Sequence, residues 1–574
     1  MIKRIKRLNL TYFLAIAFLC FLSNLGTAQE KNDNNFEIAK SLDIYSTIVK
    51  EVNTTYVDDV NQGELTKVSI DAMLKQLDPY TVYIPESQVE DYRFMTTGQY
   101  GGIGSIIQQR GDYVIIAEPY KGWPAQKAGL MAGDTIISID GKDVTGKGNE
   151  KVSQMLKGEP GTTLSIQLNR YGAKEPLKKE LTREKIQVDD IPYYGMLDDN
   201  VAYIKLTGFT QGVASELKEH FQELKKDNTV KGLVLDLRGN GGGLLSEAVD
   251  IVNAFVKRNE EVVTTRGRAE KEHVFKTRMN PLDTDIPLIV LINKGSASAS
   301  EIVSGAIQDL DRGVIVGQRS FGKGLVQNVV PLEYNAKMKI TIAKYYIPSG
   351  RCIQAIDYSH KDSKGHFENI PDSLIHEFKT KNGRPVFDGG GITPDFKTKP
   401  MNFEEISAYL YAKNFFFDFA TMYRVKNAEI ESPDKFRVSD AIYDEFLEFL
   451  KTREFDFKPH GLIVIDDLEK SAKFGGYLEK IEDQMQALKD SIVKSKEYSL
   501  EKFKPQIKEL LRNEIVSRYY YQKGRVITAL IDDPEITKSI EILNDQQLYN
   551  DILSGKYKQP EEKKDAKEGL DEKK

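Results

Sequence analysis

The feature that most limits what this chain can fold into is an apolar run that ends in a turn of small residues. Ile286-Pro287-Leu288-Ile289-Val290-Leu291-Ile292 reads as a buried strand. It leads through Gly295-Ser296-Ala297-Ser298-Ala299-Ser300-Glu301 into Ile302-Val303-Ser304-Gly305-Ala306-Ile307-Gln308, which reads as a small-residue helix. A strand, a sharp turn and a helix expose a side-chain oxygen at the strand's carboxyl end. They also aim the first N–H groups of the helix at the same spot. That combination suits a nucleophile beside an oxyanion site. The Gly-x-Ser-x-Gly elbow, which uses the same geometry, is absent. Alone, the stretch is equally a Ser/Ala-rich helix cap. What moves the reading toward chemistry is Lys323, in Ser320-Phe321-Gly322-Lys323-Gly324.

The surrounding region alternates strands and helices. Strands are expected at 201–206, 232–237, 288–292, 314–316 and 339–345, and helices at 212–226 and 244–256. Alternation of this kind means an α/β layer fold. Between one strand and its helix lies Asp236-Leu237-Arg238-Gly239-Asn240-Gly241-Gly242-Gly243. So many glycines bring backbone rather than side chains to the strand end, where N–H groups can face an anion.

The chain holds 574 residues, enough for two to four domains. Its net charge of −6 carries no nucleic-acid footprint. Lys3, Arg4, Lys6 and Arg7 precede an apolar run from Leu10 to Leu22 and the small residues Gly26-Thr27-Ala28. This is the pattern of an export signal. The run is short against the roughly 20 residues of a membrane span. An uncleaved leader would place the protein at the membrane. The two cysteines, Cys20 and Cys352, cannot build a disulfide framework, and Leu19 argues against a lipid site at Cys20.

Residues 34–95 show helical spacing at Phe36, Ala39, Leu42, Ile44, Ile48 and Val52, and again at Val68, Ala72, Leu74 and Leu77. From Gly98 the texture changes. Gln99-Tyr100-Gly101-Gly102-Ile103-Gly104-Ser105 reads as a glycine-rich loop before a strand. Pro124-Ala125-Gln126-Lys127-Ala128-Gly129-Leu130 and Asp134-Thr135-Ile136-Ile137-Ser138-Ile139-Asp140-Gly141 follow. This unit resembles a PDZ domain in its circularly permuted bacterial form. The resemblance implies that Gly101, Gly102, Ile103 and Gly104 offer N–H groups to a peptide's terminal carboxylate, with the peptide lying as an added strand.

A lysine serves as general base only when neutral, and burial disfavours its charged form. It then deprotonates a hydroxyl in the Ser–Lys variant of the triad. No spacing rule brings Lys323 to Ser298; the fold must do so. Rival readings are weaker. Ser320-x-x-Lys323 would have to open a helix, which Gly322 and Gly324 oppose. Gly317-x-x-x-x-Gly322-Lys323 lacks the Ser/Thr of a phosphate-binding loop and runs into a strand. The scattered histidines give no zinc motif, so no metal and no cofactor is expected. Glu301 reads as a favourable helix start, and Asp236 as a cap or partner for Arg238.

At these residues the chain resembles the C-terminal processing (tail-specific) serine proteases, over roughly 41–400. Leu237-Arg238-Gly239-Asn240-Gly241-Gly242-Gly243, the Ser298 and Lys323 segments and Gly391-Ile392-Thr393-Pro394-Asp395 carry the resemblance. It implies Ser298 as nucleophile, Lys323 as base and Gln327 as the residue that orients the lysine. The implied oxyanion donors are the N–H groups of Gly242, or a neighbouring glycine, and Ala299. The implied fold is multidomain α/β, a crotonase-like protease core with an inserted β-rich PDZ domain and helical regions at both ends. Its parts are an export signal (1–28), a helical region (29–97), the PDZ domain (98–183), the core (184–400), a C-terminal helical domain (401–555) and a charged tail (556–574).

The function expected is an exported, periplasmic serine endopeptidase of a Gram-negative bacterium that takes protein or peptide substrates with free C-termini. A catalytically inactive PDZ scaffold is the alternative. A crotonase-like acyl enzyme using only the oxyanion loops is a third reading, and retention of both Ser298 and Lys323 argues against these two. Hinges for the PDZ unit are expected at 95–99 and 182–188, with Lys157 as a candidate coupling residue. The C-terminal helices leave a homo-oligomer or an adaptor open, and the role of 353–387 is open too.

Overall fold

The computed structural model describes residues 35–557, apart from 198–199, 270, 363–364 and 401–402. The expected export signal, Cys20 and nearly all of the charged tail lie outside these residues. Residues 35–83 carry one helix over 35–55 and a second at Gln62–Leu74. Asn61 caps the second, its side chain accepting from the Glu64 N–H. The hydroxyls of Tyr45 and Ser69 hydrogen-bond at 2.5 Å, and Phe36, Leu42, Ile44 and Ile48 are exposed.

From residue 84 onward the first helix is α1 (Val89–Thr97), ended by Gly98. The PDZ domain follows as β1 (Gln99–Gly102), β2 (Ser105–Arg110), β3 (Tyr113–Pro119), β4 (Thr135–Ile139), α2 (Asn149–Leu156), β5 (Thr163–Asn169), β6 (Leu177–Thr182) and β7 (Glu184–Gln187). Strands β2-β3-β4-β5-β6 form one antiparallel sheet. Leu164, Ile166 and Leu168 alternate inward along β5 and join Ile103, Ile116 and Leu156 in the PDZ core. The strands β1 and β7 pair with each other, Gln99 opposite Gln187 and Gly102 opposite Glu184. Both connections of the domain therefore leave through one two-stranded ribbon, over the two segments read as hinges. The structure differs from the sequence reading at Gly101 and Gly102. They are ladder residues of β1, and the turn that follows is built from Ile103 and Gly104. Glycine signals a turn in sequence, but here cross-strand pairing fixes the register.

The next layer is a six-stranded sheet of β8 (Tyr193–Met196), β9 (Val201–Lys205), β10 (Gly232–Asp236), β13 (Leu288–Ile292), β14 (Val314–Gly317) and β17 (Phe396–Lys397), in that order. All neighbours after β9 are parallel. The helices α3 (Val213–Asp227), α4 (Leu245–Phe255) and α5 (Ala299–Asp309) are the connections between them. A second sheet holds β11 (Glu261–Gly267), β12 (His273–Lys276), β15 (Leu325–Pro331) and β16 (Lys337–Tyr346). The segment 353–387 forms two small hairpins, Ile356–Lys361 with Phe367–Asn369 and Glu377–Lys379 with Pro385–Phe387.

The continuous apolar strands are explained by burial on both faces. Ala202, Ile204, Leu233, Leu235, Leu288 and Val290 face the helices α3, α4 and α5. Val201, Tyr203, Val234, Ile289 and Leu291 point the other way. The C-terminal helical domain expected over 401–555 does not stand apart from the core but in part covers it. After α6 (Phe415–Lys426), α7 (Asp440–Lys451) and the kinked α8 (Lys504–Leu530), the chain returns as α9 (Pro534–Asn544) and α10 (Gln546–Leu553). Ile536, Ile542, Leu543, Tyr549 and Ile552 of these two helices cover the second face of the central sheet. The Tyr549 hydroxyl accepts from the Leu288 N–H at 3.0 Å. By contrast Phe415, Phe416 and Phe419 form a separate core with Phe446 and Phe449. The PDZ domain is tied to these helices by Arg110 to Asp418 at 2.5 Å and Arg525 to Glu118 at 2.6 Å.

Ile542 is fully buried against the sheet. Ile542→Ala should therefore destabilise the folded chain by about 2–5 kcal/mol, the cost of a large-to-small change in a close-packed core. Urea unfolding of the whole chain measures it. An unchanged midpoint would mean that α9 rests on the core without completing it.

Candidate active site

The strand β13 delivers the turn that starts at Asn293. Asn293 Oδ1 accepts from the N–H groups of Gly239 and Gly295, at 2.9 and 3.0 Å. The three serines that follow look alike in sequence but are used differently. Ser296 is fully buried and donates to the Leu237 carbonyl at 2.8 Å. Ser300 is fully buried and donates to the Asn240 carbonyl at 2.9 Å. Both stitch the turn to the glycine loop after β10. Ser298, between them, is half-buried and lines an open cleft of about 470 Å3. Its backbone stands at φ 56 and ψ −113, a region a non-glycine residue enters at a cost of about 1–3 kcal/mol.

The glycine loop makes that position possible. A Cβ on Gly242, itself at φ +100, would sit 2.8 Å from the Ala297 carbonyl oxygen and 2.9 Å from both the Ala299 nitrogen and the Ser298 Cβ. Only glycine lets the loop come this close to the start of α5. Ala299 contributes the first N–H of that helix, a group with no intrahelical acceptor. The Gly242 N–H donates to Asn240 Oδ1 at 2.9 Å, so in this state that amide is used within its own turn.

The same cleft takes in Lys323 and Gln327 from the other side, together with Gly241, Gly243 and Tyr345. Thus Ser298, Lys323, Gln327, Gly242 and Ala299 meet in one place, although Ser298 caps α5 after β13 of the central sheet, whereas Gln327 stands on β15 of the second sheet and Lys323 just before it. Gly322 stands at φ +89, and a Cβ there would meet Ala355 Cβ at 2.4 Å. Gln327 gives its side-chain N–H to Thr341 Oγ1 at 3.2 Å. The fourth wall is α1, through Tyr92, Met95 and Thr96. The Gln211 N–H holds the Thr96 carbonyl at 3.1 Å.

Glu301 does more than start a helix. It does start α5, and its Oε2 accepts from the Ser298 N–H at 2.8 Å. The same carboxylate also accepts from Lys323 N–H at 2.9 Å, Gly322 N–H at 2.7 Å and Ser320 Oγ at 2.5 Å. It is fully buried. Burial pushes its pKa up to about 7, against the hydrogen bonds from Ser320, Lys323, Gly322 and Ser298, which favour the ionised form. Tyr345, also missed, spans the same two segments. Its hydroxyl donates to the Ser298 carbonyl at 3.2 Å and contacts that of Lys323. The only sequence signal for Glu301 is its place three residues after Ser298, the spacing of a capping box. That spacing does not reveal the reach to 320–323.

Asp236 pairs with Arg238 at 2.7 Å and Lys205 at 3.1 Å and accepts from the Tyr203 hydroxyl. Burial opposes its charge, yet Arg238 and Lys205 hold its pKa well below the usual carboxylate range. Arg238 also reaches Asp533 and Glu535 at the start of α9, both at 2.7 Å. The glycine loop is thereby anchored to the third layer. Behind α5, Asp395 accepts from Ile315 N–H and Gln308, both at 2.8 Å, which places the 391–395 motif in a structural role.

Comparison with known proteins matches these parts. The model of peptidase family S41 covers residues 200–360, that of a PDZ domain residues 115–170, and that of a probable PDZ-protease C-terminal helical domain residues 406–543. The chain is 37% identical over 349 residues to a carboxy-terminal-processing protease of Bartonella bacilliformis, across 60% of this chain and 78% of that one. It is 33% identical over 324 residues to a probable CtpA-like serine protease of Staphylococcus haemolyticus, across 56% of this chain and 63% of that one. Among solved structures, a photosystem II D1 C-terminal processing protease aligns over 61% of this chain and 91% of its own, with 28% identity and a TM-score of 0.34.

The raised Glu301 pKa has a defined sign. The folded value of about 7 lies above the ordinary 4.5, so folding favours the protonated form. The stability this lends is fully present below pH 4.5 and is lost as pH rises through 7, by up to about 3 kcal/mol. Glu301→Gln cannot titrate. Urea unfolding at pH 5 and pH 8 should show a larger loss in the natural chain than in this variant. Equal losses would refute the assignment.

Proposed function

Because the chain belongs to peptidase family S41, among the carboxy-terminal-processing proteases, we propose that it is an exported endopeptidase working by a Ser298–Lys323 dyad. The observation that carries this reading is the strained Ser298, which lines one cleft with Lys323 while its two neighbouring serines are spent on structure. Neutral Lys323 takes the Ser298 Oγ proton as Oγ attacks the scissile carbonyl carbon. The lysine then protonates the leaving amine, and an acyl-enzyme remains. Water, deprotonated by the same lysine, cleaves the ester and restores the hydroxyl.

The developing oxyanion is held by the Ala299 N–H and a donor of the glycine loop. For Gly242 to be that donor its amide exchanges Asn240 Oδ1 for substrate oxygen; otherwise Gly241 or Gly243 takes the role. Gln327, whose side-chain N–H is held by Thr341, lines the same cleft as the lysine and orients it. The layered parallel sheet with α3, α4 and α5 supports the crotonase-like reading of the core. The PDZ domain captures the free C-terminus of a protein or peptide substrate, which feeds the chain toward the cleft past α1. The basic and apolar leader supports export, with the periplasm of a Gram-negative bacterium as the compartment.

Ser298→Ala should abolish labelling by a fluorophosphonate probe and all peptide cleavage, with the protein still folded. Lys323→Ala should lose at least about 10²–10⁴-fold in kcat, the usual worth of a general base. Lys323→Arg should be equally inactive, since a guanidinium stays protonated. Gln327→Ala should lose less. Near-natural turnover in Lys323→Arg would remove the lysine from the mechanism.

A further inference from the structure

The strands β10, β13, β14 and β17 run parallel and end together, with Asp236 beside Leu291, Ile292 beside Gly317 and Gly317 beside Lys397. The loops of the candidate active site leave from these ends: the glycine loop from β10, the Ser298 turn from β13 and the Lys323 loop from β14. One residue from far along the chain reaches the roots of two of them. Glu535, in the first turn of α9, is buried. Its Oε2 accepts from Arg238 at 2.7 Å, where the glycine loop begins. Its Oε1 accepts from Gln318 Nε2 at 3.0 Å, where the Lys323 loop begins, and from Thr398 Oγ1 at 2.5 Å, just after β17. Asp533 supports it. Asp533 caps α9 by accepting from the Glu535 N–H at 2.8 Å, and takes the same Arg238 nitrogen at 2.7 Å.

We propose that Glu535 is a positioning residue of the reaction: from the C-terminal helical domain it sets the glycine loop and the Lys323 loop at their working separation, so that oxyanion donor and base address the same carbonyl. The proposal rests on the reading of Ser298 and Lys323 as the catalytic pair. Three loops need three ties. Ser296 and Ser300 join the Ser298 turn to the glycine loop. Glu301 joins the Ser298 turn to the Lys323 loop. Glu535 is the direct tie between the remaining pair. Stability does not account for an acid at this position. A buried ion pair adds little over well-packed apolar residues, and Ile536 and Leu543 of α9 already cover the sheet. What a carboxylate offers, and an apolar side chain does not, is two acceptor oxygens, one for each loop. The N-terminal end of α9 favours its negative charge.

The test uses the full chain and follows two reactions: labelling of Ser298 by a fluorophosphonate, and cleavage of a fluorogenic peptide with a free C-terminus, resolved into kcat and KM. Glu535→Ala should lower kcat by about tenfold to a hundredfold, the scale on which a misplaced catalytic group costs rate. KM should hold, and labelling should slow in proportion to kcat. Glu535→Gln keeps the shape and one acceptor oxygen, so it should recover part of the loss. It also carries the test if the alanine variant does not fold, which urea unfolding at the assay temperature reveals. Ile542→Ala is the control: it weakens the packing of the same helix without touching Arg238 or Gln318. It should unfold at lower urea and keep its kcat. If both Glu535 variants turn over like the natural chain, or if Ile542→Ala loses as much kcat as Glu535→Ala, then Glu535 is scaffold only and the proposal falls. A rise in KM at constant kcat would place Glu535 in substrate capture and also overturns it. A natural chain that is neither labelled nor active on the peptide would overturn the Ser298–Lys323 reading itself, and this proposal with it.

Discussion

The site depends on one buried carboxylate. Taking the Glu301 side chain out of water opposes its charge, and only a nearly complete set of donors offsets that. The structure supplies four, from Ser298, Ser320, Gly322 and Lys323. Three are backbone N–H groups, which matters for function. The clamp grips the main chain on either side of the cleft, so holding Ser298 and Lys323 together does not consume the Ser298 hydroxyl. Tyr345 repeats the arrangement from the carbonyl side of both residues. Two segments that arrive from different sheets are thereby fixed relative to each other through hydrogen bonds to one acid and one phenol.

The same clamp explains how a serine can be kept at φ 56. Strain of this kind persists only where the surroundings over-determine it. Here Ser296 and Ser300 pin both flanks of the turn to the glycine loop, Glu301 holds the Ser298 N–H, and Gly242 leaves room for the turn to close. The glycine loop is in turn held by Asp236 and Arg238, and Arg238 by Asp533 and Glu535 of the last layer. A chain of ion pairs therefore connects the cleft to helices more than 200 positions away in sequence.

These dependencies account for what could be read from the amino acids and what could not. The parallel strands were legible because double-sided burial writes a continuous apolar run, as at Leu288–Ile292. The strand–turn–helix around Ser298 was legible because only small residues fit it. The role of Glu301 was not, since a spacing of three residues specifies a helix cap and is silent about a loop 20 positions on. Nor did the apolar faces of α9 and α10 say what they cover. An amphipathic helix records that it packs, not against which surface. Gly101 and Gly102 misled because glycine marks close approach as readily as a turn, and here they stand in a ladder opposite Lys185 and Glu184.

The helix α1 shows how a single short element can border two cavities without its residue types revealing it. Successive helical residues are separated by about 100°. Tyr92, Met95 and Thr96 therefore share one side and line the cleft that holds Ser298. Phe94 projects from the opposite side, into a cavity of about 210 Å3 lined also by Tyr100, Ile103 and Leu156. The Gln211 N–H holds the Thr96 carbonyl near the helix's C-terminal end. None of the nine residues is fully buried, so no apolar stripe in the sequence marks either side of the helix as a packing face.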